Sequence, residues 1–221
     1  MLEFFSLSKQ NWLRAVRVPE FRKRLVSGCI LIAAILSSMP FFFQVIERRN
    51  GMQLNDWVLH QIPSHNFSVA IFILIWGMGF FAIIRAINDP YFFLVFIWSY
   101  VIVTFCRALT ITFIPLNPPD GLEQLIDPLS STFYGHVNIT KDLFFSGHIS
   151  TIFLIFLCMK NKFDKVLTLT VTLFLAFLLM IQHIHYVIDI VAAPVFTYIS
   201  YLLGKRIVLG KSNQEYSEVH N

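Results

Sequence analysis

The sequence predicts an all-α polytopic membrane protein with six transmembrane helices and both termini in the cytoplasm. Three observations predict it. Hydrophobic residues make up 56% of the 221 positions and charged residues 14%, against roughly 45–50% and about 25% in soluble domains. The apolar residues fall into runs of span length, about 20 residues being needed to cross a hydrocarbon core. The 17 Lys and Arg residues are spread unevenly about those runs. The same composition excludes a disordered chain, a nucleic-acid binder and an ordinary cytosolic domain. A net charge of +4 on so apolar a chain points to the charged edges of a bilayer. Three cysteines, with no CxxC, are too few for a disulfide framework.

Residues 1–24 read as an interfacial N-terminal segment, with Phe4, Phe5, Trp12 and Leu13 among headgroups and basic residues beside them. A secretory signal is a poor fit, because the basic region is long and Pro19 interrupts it. A six-helix membrane domain follows over residues 25–204. Its first run is Val26–Ile46, closed by Glu47, Arg48 and Arg49. The second is Phe67–Ile84, closed by Arg85. The third, Tyr91–Leu116, contains Arg107. The fourth, Leu143–Met159, ends at Lys160 and Lys162. The last run, Val166–Leu203, is 38 residues long and holds two spans. The polar knot Gln182–Tyr186 is the turn between them, although no Gly or Pro marks it. Residues 205–221 form a short cytoplasmic tail. Six spans put thirteen basic residues on one side and four on the other, so the richer side is cytoplasmic. Two glycosylation sequons, Asn66-Phe-Ser and Asn138-Ile-Thr, fall on the poorer side.

Ionisable groups inside a membrane protein are expensive and mark sites or cavities. Here they gather at the outer edge. Arg107 lies toward the outer end of span three, Asp142, Ser146, Gly147 and His148 open span four, His183 and His185 close span five with Tyr186 beside them, and Asp189 opens span six. His185 and Asp189 are four apart, within reach on one helix face. An Asp accepting from one imidazole nitrogen leaves the other as nucleophile. The alternative is a polar pair stabilising a headgroup-level turn. Ser146-Gly147-His148 offers a glycine for close approach and a helix N-terminus for an anion, or else an ordinary cap. Arg107 suits phosphate oxygens, or pairs with Asp142 or Asp189. His183 faces away from His185, because i and i+2 do not share a helix face, and His60, His65 and His136 are solvated loop residues. That spacing also makes a metal set of His183, His185 and Asp189 a poor one, so neither metal nor cofactor is expected. A nucleophile, a proton donor and an anion clamp at a membrane edge amount to phosphoryl chemistry on a lipid phosphoester.

Arg107-Ala-Leu-Thr110, the Pro-rich Pro115–Pro119, Asp142-Leu-Phe-Phe-Ser146-Gly147-His148 and His185-Tyr186-Val-Ile-Asp189 resemble the sphingomyelin synthase family of the lipid phosphate phosphatase (phosphatidic acid phosphatase type 2) superfamily. The resemblance covers roughly Arg107–Leu203, the catalytic half of the chain. The Lys-x6-Arg-Pro motif of the phosphatase branch is missing, so the chain looks like the synthase branch. It departs from animal synthases in having Ile149 after Ser-Gly-His and in lacking a long cytosolic N-terminal domain. The resemblance implies that His185 attacks phosphorus with Asp189 orienting it, that His148 is acid and then base, and that Arg107, with Ser146 and Gly147, binds phosphate. Asp142 and Tyr186 support the site. It also implies an exoplasmic site, facing the periplasm or the lumen of the ER and Golgi. The partners would be a phospholipid donor and a lipid hydroxyl acceptor, ceramide- or diacylglycerol-like. Water as acceptor would make a phosphatase or phospholipase C. The rivals from another class are a transporter, which would carry its ionisable groups at midplane, and a non-catalytic lipid-binding protein.

Overall fold

The computed structural model describes residues 2–125 and 139–210. His136, Asn138 of the second sequon, and the tail from Lys211 onward lie outside these residues. The described residues form seven α-helices: α1 (Leu2–Arg17), α2 (Pro19–Arg48), α3 (Ser68–Asn88), α4 (Pro90–Phe113), α5 (Gly147–Cys158), α6 (Lys162–Ile181) and α7 (Val187–Leu209). A single 3-10 turn, Leu59–Gln61, interrupts the α2–α3 loop. Five of the helices, α2, α3, α4, α6 and α7, are long and apolar enough to cross a membrane. Their outer faces expose large apolar side chains such as Phe80, Leu173, Phe177, Val191 and Val195. In water these would be an aggregation hazard; against lipid they match the solvent.

The fourth expected span, Leu143–Met159, is shorter than predicted: its helix is α5, only 12 residues. At 1.5 Å per residue that is ~18 Å, short of the ~30 Å hydrocarbon core. The reason is tertiary. The backbone before Gly147 is engaged elsewhere, so it cannot join the helix. Thr110 Oγ1 donates to the Phe144 carbonyl at 2.8 Å and Arg107 Nε donates to the Phe145 carbonyl at 2.9 Å. Glu47 accepts from the Thr140 and Lys141 amides at 2.6 and 2.7 Å and from Thr140 Oγ1 at 3.0 Å. Ser146 then caps the helix, its Oγ accepting from the Ile149 amide. The far end of α5 is tied by Lys160 to Asp89, which caps α4 (2.5 Å). The N-terminus of α5 therefore sits well below the end of α4, inside the level of the bundle.

The N-terminal segment also differs from its expectation. It is two helices, broken at Pro19, the first helical residue of α2. Trp12 packs edge-on against Phe21 and Phe93 and donates to the Ile87 carbonyl at 2.9 Å. α1 is thus docked on the ends of α3 and α4 by an aromatic cluster, while Leu13 remains exposed. The last apolar run does divide at the Gln182–Tyr186 knot into α6 and α7, as its polarity predicts.

α4 and α7 form the axis of the bundle. A Cβ on Gly204 would lie 2.7 Å from the Ser99 backbone nitrogen, so the small residue lets the two backbones touch there. The core around them is aliphatic and aromatic, with Phe145 stacked on Phe196 at 4.6 Å. At the end of the bundle where α5 begins, Glu47 is the residue that fixes the extended segment. Glu47→Ala orphans three donors at once. A loss of about 1–3 kcal/mol is expected, read as a lower thermal midpoint in detergent, with Glu47→Gln intermediate.

Candidate active site

Three segments meet at one end of the bundle. α4 contributes Arg107, six residues before its C-terminus. The extended segment and α5 contribute Asp142 and His148. The turn before α7 contributes His185, and α7 itself Asp189. One backbone bond joins the last two segments: the Ser146 amide donates to the Asp189 carbonyl at 3.1 Å. The imidazoles of His148 and His185 consequently stand with their ring centroids 6.0 Å apart.

His185 Nδ1 is 3.5 Å from Asp189 Oδ2. The two are neighbours, but not as residues on one helix face. Tyr186 is the N-cap of α7, so His185 precedes the helix. Asp189 folds back over the helix start, its Oδ2 accepting from the Tyr186 amide at 3.1 Å. The capping turn, rather than helical periodicity, makes the contact. Both side chains are essentially removed from solvent, at 2% and 0% exposed. Asp189 Oδ1 has no hydrogen-bond partner among the described residues. Burying a carboxylate in this way is costly unless a positive charge stands beside it.

Arg107 pairs with Asp142 at 2.5 Å while its Nε holds the Phe145 carbonyl. The ion pair weighed as an alternative to a phosphate clamp is therefore formed. The guanidinium also lies across the N-terminus of α5: a Cβ on Gly147 would come within 2.6 Å of Arg107 Cζ. Gly147 admits the arginine side chain, a different task from the one its sequence context suggests. Ser146 is fully buried and serves as the helix cap. Asp142 is opposed by burial, which pushes its carboxyl up. The Arg107 guanidinium and, more weakly, His185 and His148 outweigh this and hold it below the usual aspartate range. Both histidines and the arginine therefore act on one carboxylate.

A depressed native pKa adds stability above the unfolded value and loses it as pH falls through the folded value. Wild-type thermal stability should then fall as the medium is acidified below about pH 4. Asp142→Asn should start lower at neutral pH and show a flatter acid limb. Parallel pH profiles for the two proteins would remove the pair from the stability account.

The remaining members of the knot serve the loops. His183 faces away from His185, its Nδ1 2.8 Å from the Asp120 carbonyl and its Nε2 2.9 Å from the Ile62 carbonyl. Gln182, fully buried, accepts from the Phe67 amide and donates to Ser68 Oγ and to the Glu123 and Gln124 carbonyls. Tyr186 donates to the Asn117 carbonyl and accepts from the Leu54 amide, so it braces the site from outside. His60 and His65 are exposed. Two positioning residues escaped the sequence reading. Glu47 is one. Asp56 is the other: its Oδ1 caps the 3-10 turn and its Oδ2 accepts from Val187, the first residue of α7, at 2.8 Å. An Asp three residues before a short 3-10 turn is a capping signal, but its reach across 131 residues leaves no sequence trace. Among the described residues, no group of three or more His, Cys, Asp or Glu is arranged to hold a metal ion.

Residues 141–206 match the family model described as PAP2 superfamily C-terminal. The match begins one residue before Asp142 and takes in His148, His185 and Asp189. It supports the lipid phosphate phosphatase superfamily, whose activities are of phosphatase and phosphotransferase type. No curated protein matches the chain.

Proposed function

We propose that this protein is a membrane-embedded lipid phosphotransferase of the sphingomyelin synthase type. It moves a phospho-headgroup from a phospholipid to a lipid hydroxyl, ceramide- or diacylglycerol-like, through a phosphohistidine. The observation that carries the reading is the juxtaposition of the buried His185–Asp189 pair with His148 and Arg107 at the recessed N-terminus of α5.

Nδ1 of His185 faces Asp189 at 3.5 Å, which leaves Nε2 as the attacking nitrogen. The bond it makes to phosphorus leaves a positive charge on the ring, which the Asp189 carboxylate stabilises. As the P–O bond to the diacylglycerol breaks, His148 gives its proton to the departing oxygen. The headgroup phosphate stays on His185. The acceptor hydroxyl then loses its proton to His148, its oxygen bonds phosphorus and the P–N bond breaks, restoring both imidazoles. Arg107 takes the phosphate oxygens, with the first amides of α5 contributing to the anion site. Asp142 holds the guanidinium until a phosphate replaces it.

The burial of His185 favours a lipid acceptor over bulk water. Hydrolysis remains the second reading, favoured by the phosphatase character of the matched superfamily. Purified protein given a phospholipid labelled in its headgroup, with and without ceramide or diacylglycerol, separates them. Transfer predicts labelled phospholipid or phosphosphingolipid that requires the acceptor. Release of water-soluble label at an acceptor-independent rate would make the protein a hydrolase.

The basic-residue count favours an exoplasmic site and cytoplasmic termini. Met52 stands 65% exposed at the site end of the bundle. A single cysteine placed there should react with an impermeant maleimide from the periplasmic or lumenal side. Labelling only from the cytosol would invert the orientation.

A further inference from the structure

The opposite end of the bundle carries a groove of about 520 Å³ between the ends of α4, α5, α6 and α7. Three lysines from three places in the chain converge on it: Lys160 just after α5, Lys165 in the first turn of α6, and Lys205 near the end of α7. Its walls are aromatic and aliphatic, including Tyr91, Tyr201 and Leu209. Along α4, Tyr91 is ~24 Å from Arg107, so the groove is separate from the histidine site.

The charges of the groove do not cancel. Lys160 is compensated by Asp89 at 2.5 Å. Among the described residues, neither Lys165 nor Lys205 has a carboxylate within ion-pair distance. The Lys205 ammonium lies 5.8 Å from the centroid of the Tyr201 ring, a contact that keeps its charge available. Two uncompensated ammonium groups over an apolar wall match a ligand with an anionic head and an apolar body. At the end of membrane-spanning helices, the source of such a molecule is the adjoining leaflet. Basic pockets between transmembrane helices are recognised binding places for acidic headgroups. A soluble nucleotide or sugar phosphate would satisfy the ammonium groups but leave the wall beside Tyr201 and Leu209 uncovered.

We infer that this groove binds an acidic glycerophospholipid, its phosphodiester between Lys165 and Lys205 and an acyl chain along Tyr201 and Leu209. The inference does not depend on the catalytic reading. Occupancy would tie the ends of α4, α5, α6 and α7 together at the face away from the histidines.

The full-length protein in detergent is titrated with phosphatidylglycerol or phosphatidylcholine of matched chains, and bound lipid is counted by native mass spectrometry. The wild type should favour phosphatidylglycerol. The double variant Lys165→Gln/Lys205→Gln should lose roughly tenfold or more of that preference, the order expected of two cations at a membrane surface. Lys162→Gln/Arg206→Gln removes the same charge at the same end from residues outside the groove, and it should keep the preference. Phosphatidylglycerol held at the histidine site would be untouched by either pair, so the difference between them reads the groove alone. Equal loss in both pairs would reduce the effect to general surface charge and overturn the proposal. No loss in the groove pair would overturn it too. Glycerol 3-phosphate competing as well as the lipid would assign the site to a soluble phosphate ester instead.

Discussion

His185→Ala should abolish turnover completely, including any single-turnover burst of released diacylglycerol, because it removes the nitrogen that forms the covalent intermediate. His148→Ala should behave differently. A positioned general acid or base is worth roughly 10²–10⁴-fold, so a slow residual reaction should survive. A donor whose leaving group needs no protonation should recover part of the His148→Ala loss and none of the His185→Ala loss. Asp189→Asn should fall between them, since it keeps the capping bond from the Tyr186 amide but withdraws the charge facing the ring. Equal rescue of the two histidine variants would show that their roles are misassigned. A burst of diacylglycerol from His185→Ala would remove the phosphohistidine altogether.

The second large effect is expected at Arg107. Its guanidinium is pinned by the Phe145 carbonyl and by Asp142, and it lies over Gly147. A planar fork can serve a carbonyl and two phosphate oxygens together, whereas an ammonium is a point charge. Arg107→Lys should fold yet lose about 10²–10³-fold in activity, the scale of removing one preorganised oxyanion donor. Gly147→Ala tests the same geometry from the other side. Its methyl group would sit 2.6 Å from Cζ, so the guanidinium must leave its place and activity should fall with it. Arg107→Ala should lose at least as much activity and also stability, because it strands Asp142; a loss of stability alone is the outcome expected if Arg107 only neutralises Asp142. The measurement is turnover per folded molecule, with folding checked by monodispersity and thermal midpoint. Near-normal turnover in well-folded Arg107→Lys would reduce Arg107 to a structural partner of Asp142.

Sequence patterns carry information over a few residues, and the legible parts of this protein are those decided at that range. The long apolar runs became helices, and the knot in the last run became a turn in which four of the five residues carry polar groups. The arginine inside α4 was visible as an anomaly needing a partner. The cap at Ser146 was legible, but the span was drawn from Leu143, since Leu143, Phe144 and Phe145 are as apolar as the helix that follows. What keeps them extended is a set of bonds from Glu47, Arg107 and Thr110, up to 94 residues away. His185 and Asp189 were legible as a pair, but the reason they meet is a cap. Gly147 reads locally as a loop or cap glycine, and only the approach of Arg107 reveals what its missing side chain leaves room for. Trp12 looked like a headgroup anchor because its partners, Phe21 and Phe93, belong to other helices.

The bond from the Ser146 amide to the Asp189 carbonyl has a meaning in the order of synthesis. A ribosome delivers α4 and α5 into the membrane before α7 exists. Until α7 arrives, the cap of α5 lacks its anchor and His148 has no His185 to face. Nascent chains stopped short of Val187 therefore hold Arg107, Asp142 and His148 as unassembled parts, and the insertion of the last helix is also the step that completes the site. A phosphoester-handling centre built this way is switched on only at the end of biogenesis. Membrane quality control can therefore recognise an unfinished chain by the polar groups that α7 has yet to cover.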